Sequence, residues 1–387
     1  AQGLNVPKVL TSKMSATEQA EQVAQIAKGM QEGIMPPDSK QRQDIADALP
    51  DGLSYNGLIS SASIAHVVET ETPKGKKRAT KVKRPNISEA IVDNEDTFNL
   101  VAKVYTRFIE KHIEGTSLGE KRQRIKEVLP FVLKTFSDDL RRELHFPSEI
   151  ESQNRGYKIF KSHKGIHVPE IDDEYTDDEH ITMEYLDGIR LEDLPAHADH
   201  LKNLFVVVLE SWKSRFLHGD MHGGNVKGRG DGTLVVYDWG KSVELTPDFV
   251  KNMGKFLFAI VRKNPDAIAQ TYVKIQSPNS SQISIDEARL IAQEVLSSIP
   301  EDTTMRKAFV DTTKDVAISM GIHHQSILDT NYATALQTAV RYGSVISQEL
   351  AKPEYQDKKF RRKALRQGVT GAIKEVYLSK KTKKKTT

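Results

Sequence analysis

The chain has 387 residues, 38% of them hydrophobic, and a net charge of +3 from 56 basic against 53 acidic side chains. A balance so even offers no global field for nucleic acid, and the absence of cysteine excludes disulfides, thiolate metal sites and a cysteine nucleophile. The length suits two lobes, and no apolar run approaches the ~20 residues that span a bilayer.

In chain order, Ser15 and Glu18 form a capping box that opens a helical pattern ending near Gly33 and Pro36. From Leu58 to Val82 the texture turns β-rich, and the loop Thr72 to Lys77 predicts a hairpin turn with a solvated basic tip. A second capping box, Ser117 with Glu120, precedes Ile125, Val128, Leu129, Val132, Leu133 and Phe136, whose spacing marks a packed helical face. Strand texture returns at His180 to Tyr185. A helix follows at about 198–216, in which the run Leu204 to Leu209 predicts burial. The acidic stretch 172–179 reads as a solvated turn. After Pro247 almost everything is helical, with a third capping box at Ser284 and Glu287. There is no internal repeat, and only the tail Lys380 to Lys385 is low in complexity.

This order predicts an α+β chain without βαβ alternation. It divides into a helical extension over 1–50, a first lobe with a small sheet and a helical insertion over 51–187, a helical second lobe over 188–375, and a basic tail over 376–387.

The strongest chemical signal is His218-Gly219-Asp220-Met221-His222-Gly223-Gly224-Asn225, followed by Val235-Val236-Tyr237-Asp238-Trp239-Gly240. Phosphoryl transfer needs a carboxylate to orient or deprotonate the attacking hydroxyl, and oxygen ligands that hold Mg²⁺ against the phosphates. An Asp, an Asn five residues on and a second Asp after a short hairpin supply those parts. Each alone would pass for a turn residue; the joint spacing carries the reading. The apolar run before Asp238 places it at a strand end, and Gly240 lets the chain turn behind it. His218 and His222 flank Asp220 without a third ligand, so His218 is expected to pack and bond within the loop rather than bind metal.

In Ala79-Thr80-Lys81-Val82, strand alternation sets Thr80 and Val82 on one side and Lys81 on the other, where a compact cation can reach α and β phosphates. The segment Ser60-Ser61-Ala62-Ser63-Ile64-Ala65-His66 stands where kinases place a glycine-rich loop. Its small side chains permit close phosphate approach, and its hydroxyls can donate to phosphate oxygens.

Taken together these motifs resemble the UbiB-type atypical kinase-like family, over roughly residues 20–275. The resemblance implies a two-lobed protein-kinase-like fold that binds ATP or ADP with Mg²⁺, in ubiquinone or other isoprenoid-lipid metabolism. Ser60 to Val67 is similar to the family's alanine-rich loop, and Ala79 to Pro85 to its nucleotide-lysine strand. Glu143-Leu144-His145-Phe146-Pro147-Ser148-Glu149 resembles the ELDF-x-x-E element, which makes Glu149 the partner of Lys81. Met183 to Gly188 looks like the hinge, where the backbone of Glu184 and Tyr185 would meet adenine. Asp220 matches the catalytic Asp, Asn225 and Asp238 the metal ligands.

Three departures stand out. The KxGQ element should fall near Gln22-Val23-Ala24-Gln25 but lacks its lysine and glycine, which weakens the family's restraint on protein substrates. Asp-Met-His-Gly-Gly replaces Asp-Pro-His-Pro-Gly and predicts a more mobile catalytic loop. A lysine run ends the chain where many relatives carry a membrane anchor.

The expected enzyme is an atypical kinase or ATPase, cytoplasmic and without a transmembrane segment. Its basic tail, with Arg361, Arg362, Lys363, Arg366 and Lys374, is a candidate contact for an anionic or isoprenoid lipid surface. A disordered solubilising end is the equal alternative for the tail. For the whole chain, a small-molecule phosphotransferase of the aminoglycoside or choline-kinase type, a protein kinase and a non-catalytic nucleotide-binding scaffold stay open.

Overall fold

The β-prone texture between residues 54 and 83 folds as three strands, β1 (Ser54–Ser61), β2 (Ala65–Glu71) and β3 (Lys77–Lys83), preceded by helix α1 (Ser39–Asp47). Helix α2 (Phe146–Phe160) and strands β4 (Ile166–His167), β5 (His180–Glu184) and β6 (Ile189–Arg190) follow. Next come α3 (Ala198–Ser214), β7 (Phe216–Leu217), β8 (Val226–Gly228), β9 (Leu234–Val236) and β10 (Val243–Glu244). Among the described residues that follow, the elements are helical: α4 (Pro247–Val261), α5 (Pro265–Tyr272), α6 (Ile285–Ser297), α7 (Thr330–Leu350), α8 (Lys358–Ile373) and a π-helical turn, Lys374–Leu378.

The computed structural model describes residues 39–61, 64–84, 144–275, 283–297 and 330–378. The first two predicted capping boxes, the Gln22 to Gln25 segment, Ala62, Ser63, the helical pattern 125–136 and the lysine tail lie outside them. The chain divides into two units, one of residues 1–150 and 170–185, the other of residues 151–169 and 186–387, so the division falls within α2 and just after Tyr185.

In the first unit, β1-β2-β3-β5 form one antiparallel sheet. The β2–β3 connection is the predicted hairpin: Thr72 N–H donates to Lys76 O, and Gly75 turns with φ 73°. Alternation gives each face its own core. Val68 and Val82 pack with Ile45 of α1, and on the same side Thr70, Thr80 and Thr182 run a buried hydroxyl ladder at 2.9 and 3.1 Å. Ala65 and Ile181 face the other way and pack with Ile64, Phe146 and Ile171. The acidic stretch is more engaged than a solvated turn: Asp172 pairs with Arg78 at 2.7 Å and Glu179 with Lys83 at 3.0 Å.

In the second unit, the small sheet β4-β9-β8-β6 and α3 to α7 share one apolar core. It is built around Leu204, Val207, Val226, Val236, Phe256 and Trp239. Local chemistry starts these helices where the sequence marks them. Thr246 Oγ1 accepts the Phe249 N–H ahead of Pro247. Asn264 Oδ1 accepts the Ala267 N–H ahead of Pro265. The third capping box closes in both directions between Ser284 and Glu287.

A buried charge cluster ties the π-helical turn to α3. His163 lies with Nδ1 2.9 Å from Glu375 Oε1 and Nε2 3.6 Å from Glu210 Oε2, and Lys202 and Lys213 pair with the same carboxylates. Burial alone would lower the His163 pKa, but the bonds and charges of the two glutamates outweigh it and leave the pKa raised from 6.5. A raised folded-state pKa gives stability that is complete below the unfolded value and fades as pH climbs through the folded one. The melting temperature is therefore expected to fall from pH 6.5 upward, and His163→Gln to lose that slope. Equal slopes in the two proteins would contradict it.

Candidate active site

In the first unit, the strand alternation that buries Thr80 and Val82 turns Lys81 to the face where Phe146 opens α2. Glu149 sits one turn along that helix. Lys81 Nζ donates to both of its carboxylate oxygens, at 2.8 and 2.7 Å. The two side chains are only 11% and 9% exposed, so the pair is shielded from water. The Phe146 ring lies 5.5 Å from the Lys81 ammonium and 4.7 Å from that of Lys83, which adds cation–π attraction on the same face.

Strands β1 and β2 are antiparallel neighbours in the sheet. Ser61 pairs with His66 across the ladder, and its hydroxyl lies 3.0 Å from His66 Nδ1. Burial, with the Arg84 charge second, pulls the His66 pKa down to about 4, so the ring is neutral. Ser60 is exposed on the same strand. At the expected hinge, the Glu184 N–H donates to Glu170 O at 2.8 Å, and the Lys77 ammonium stands 5.6 Å from the Tyr185 ring.

In the second unit, residues 218–240 form a loop, a hairpin and a turn. His218 is fully buried, its pKa pulled down to about 4 by burial. Neutral, it donates Nε2–H to Tyr237 O at 2.7 Å and accepts the Asp220 N–H on Nδ1 at 3.2 Å. It is therefore the internal strut of the loop, with both nitrogens spent. Gly219 takes φ 77°, and a Cβ on it would run into the Lys241 carbonyl. Asn225 Nδ2 donates to Asp220 O at 3.0 Å, which leaves the amide oxygen as an acceptor.

The β8–β9 hairpin then brings the second carboxylate back. Val226 pairs with Val236, and Tyr237 N–H donates to Asn225 O at 2.9 Å. The left-handed residue of the following turn is Asp238 itself, φ 54°, and not Gly240. A non-glycine held there is a local strain that the surroundings must impose. Trp239 does so: it is fully buried, stacked on Phe216 at 5.8 Å and tilted against His218 at 4.7 Å. Gly156 makes the space, since a Cβ there would come within 2.6 Å of the indole. Asp238 is left exposed at the turn.

Three basic groups approach the Asp220 carboxylate. Arg341 of α7 makes an ion pair with Oδ1, while Lys241 Nζ and His222 Nε2 stand 3.7 and 3.8 Å from Oδ2. Sequence reasoning found neither Arg341 nor Gly156. Lone residues on distant helices carry no local signal of what they will touch. Among the described residues no cluster of three or more His, Cys, Asp or Glu forms a metal site. The donor set of Asn225 and Asp238 instead suits Mg²⁺, which takes one or two protein oxygens and completes its shell with phosphates and water.

A buried lysine–glutamate pair on a small antiparallel sheet, and an Asp, Asn, Asp series on a loop and hairpin in a mostly helical unit, define a protein-kinase-like chain. The ABC1 atypical kinase-like domain matches residues 55–272, more than half of the sequence, and the chain belongs to that family. It is similar to the probable protein kinase UbiB of Marinobacter nauticus, 28% identical over 230 residues that cover 56% of this chain and 40% of that protein. It is also similar to the chloroplastic protein ACTIVITY OF BC1 COMPLEX KINASE 8 of Arabidopsis thaliana, 27% identical over 228 residues, 56% of this chain and 28% of that one. The chain thus spans less than half the length of these relatives. A solved chain, the complex structure of Rv3197–erythromycin from Mycobacterium tuberculosis, covers 88% of this chain and 91% of its own at 16% identity and a TM-score of 0.43. That likeness is too distant to bear on the site.

Proposed function

We propose that this protein is a Mg²⁺-dependent atypical kinase or ATPase, which passes the γ-phosphoryl group of ATP to a hydroxyl or to water. The observation that supports it most is the hairpin that returns Asp238 beside Asn225, with Asp220 tied to the same amide through its own carbonyl. Lys81, aimed and charge-balanced by Glu149, would engage the α and β phosphates, and the small side chains of the segment Ser60 to His66 would permit their close approach. The chain segment at Glu184 and Tyr185 would take the adenine. Asn225 and Asp238 would hold Mg²⁺, which when bound neutralises charge developing on the phosphates. Asp220 orients the attacking O–H and accepts its proton as the new O–P bond forms, and ADP leaves with the old bond's electrons.

The reading extends to isoprenoid-lipid metabolism, which the resemblance implies, and the surface of α8 supports a lipid-facing role. Arg362, Lys363, Arg366 and Lys374 line one open groove there, beside exposed Val369, Ile373 and Tyr377. Basic residues beside apolar ones suit an anionic membrane surface. Among the described residues no helix is long and apolar enough to cross a membrane.

The test is ATP turnover with Mg²⁺ in wild type and Asp238→Asn, each with and without acidic phospholipid vesicles. Asp238→Asn is expected to lose about 100-fold or more, the scale of removing one electrostatic stabiliser, and wild-type turnover to rise with the vesicles. An Asp238→Asn protein as active as wild type would end the reading. Equal turnover with and without vesicles would end its lipid clause.

A further inference from the structure

Two consecutive residues of α7 hold three consecutive residues of the catalytic loop. The buried Tyr342 hydroxyl accepts the His218 N–H at 3.4 Å and donates to Ser211 Oγ at 3.2 Å. Burial pushes its pKa up to about 12, so it remains a donor. Next to it, Arg341 Nη1 donates to Gly219 O at 3.3 Å and pairs with Asp220 Oδ1. The helix that presents them is itself fixed, with Ala335, Tyr342 and Val345 in the core.

What each contact controls follows from what else fixes the same atoms. The backbone of Asp220 is set from within the loop, its N–H by His218 and its carbonyl by Asn225. The side-chain torsions are not set by those bonds. Arg341 takes one carboxylate oxygen, and the other faces Lys241 and His222 at longer range. Those two side chains are 42% and 51% exposed against 30% for Arg341, so solvent screens them more. A guanidinium keeps its charge and its planar donor geometry at any working pH. It therefore fixes Oδ1 and leaves Oδ2 as the acceptor for a reacting O–H. The same contacts stiffen a loop in which glycine stands where the family has proline.

We propose that Arg341 is a positioning residue for Asp220, with Tyr342 fixing the entry of the loop. Its kinetic consequence rests on the phosphoryl-transfer reading; its effect on the loop does not. The experiment compares the wild-type chain, Arg341→Ala, Arg341→Lys and Tyr342→Phe by two readouts. The first is amide hydrogen exchange of residues 216–226 without nucleotide. The second is kcat and KM for MgATP, with millimolar guanidinium ion added to Arg341→Ala.

Exchange in 216–226 is expected to quicken in Arg341→Ala while the core of the second unit is unchanged. In turnover, kcat should fall about 100-fold, the scale of misplacing a reacting group, with KM within about threefold. Guanidinium should restore part of kcat, and Arg341→Lys should keep part of it. Unchanged exchange in 216–226 would overturn the proposal. So would a kcat loss that guanidinium and lysine both fail to relieve. If wild type itself shows no turnover, the phosphoryl-transfer reading falls and the exchange result alone decides the role of Arg341.

Discussion

Replacing Gly219 by alanine is expected to cost about 3 kcal/mol of folding stability, from about 1–2 for the left-handed backbone and a comparable amount for overpacking. The position leaves no easy escape. Its φ is 77°, and the added Cβ would run into the carbonyl of Lys241, a backbone group that cannot rotate away as a side chain would. Lys241 follows the Asp238-Trp239-Gly240 turn, and that turn is pinned by the buried indole between Phe160, Phe216 and His218. Relief would require parting the His218–Asn225 loop from the Asp238–Gly240 turn or lifting Trp239 out of the core. Gly230 is the control: a Cβ there meets nothing within 4 Å, and Gly230→Ala should stay within about 0.5 kcal/mol of wild type. Urea denaturation of the two variants decides the matter. A loss below about 1 kcal/mol for Gly219→Ala would mean that the loop and the turn move independently.

This crowding shows where sequence reasoning succeeds and where it stops. The β2–β3 hairpin, the face of Lys81 and the strand-end position of Asp238 follow from alternation and turn chemistry within a few residues, and the structure has all three. The resemblance supplied the Lys81 and Glu149 pairing, which spans 68 residues and which no local pattern encodes. In the sequence Gly240 is what lets the chain turn behind Asp238; the left-handed residue of that turn is Asp238 itself, because burying Trp239 outweighs the backbone cost. Gly156 and Arg341 were invisible for a related reason: each is defined by a partner brought near only by the tertiary fold. Residues 151–169, read as part of the first lobe, count with the second unit because Phe160, Ile166 and Val168 are buried in its core.

Breaking the Lys81–Glu149 pair from one side should cost far more than removing both charges together. With side chains 11% and 9% exposed, either charge is poorly hydrated once the other is removed, and losing one partner of such a pair costs about 3–5 kcal/mol. The Phe146 ring near Lys81 softens the loss of Glu149 only partly, at about 1 kcal/mol. Glu149→Leu alone should therefore destabilise strongly, and Lys81→Met somewhat less, because a carboxyl group can shed its charge by protonation. The double variant should recover at least about 2 kcal/mol of the summed losses, since buried ion pairs are often replaceable by apolar groups of similar volume. Function should behave in the opposite way. A methionine at position 81 cannot bind phosphate, so the restabilised double variant is expected to show no MgATP turnover. Strictly additive stability losses would mean that the pair contributes no coupling. A stable double variant that still turns over ATP would remove Lys81 from the phosphate chemistry and leave the pair a purely structural feature of the first unit.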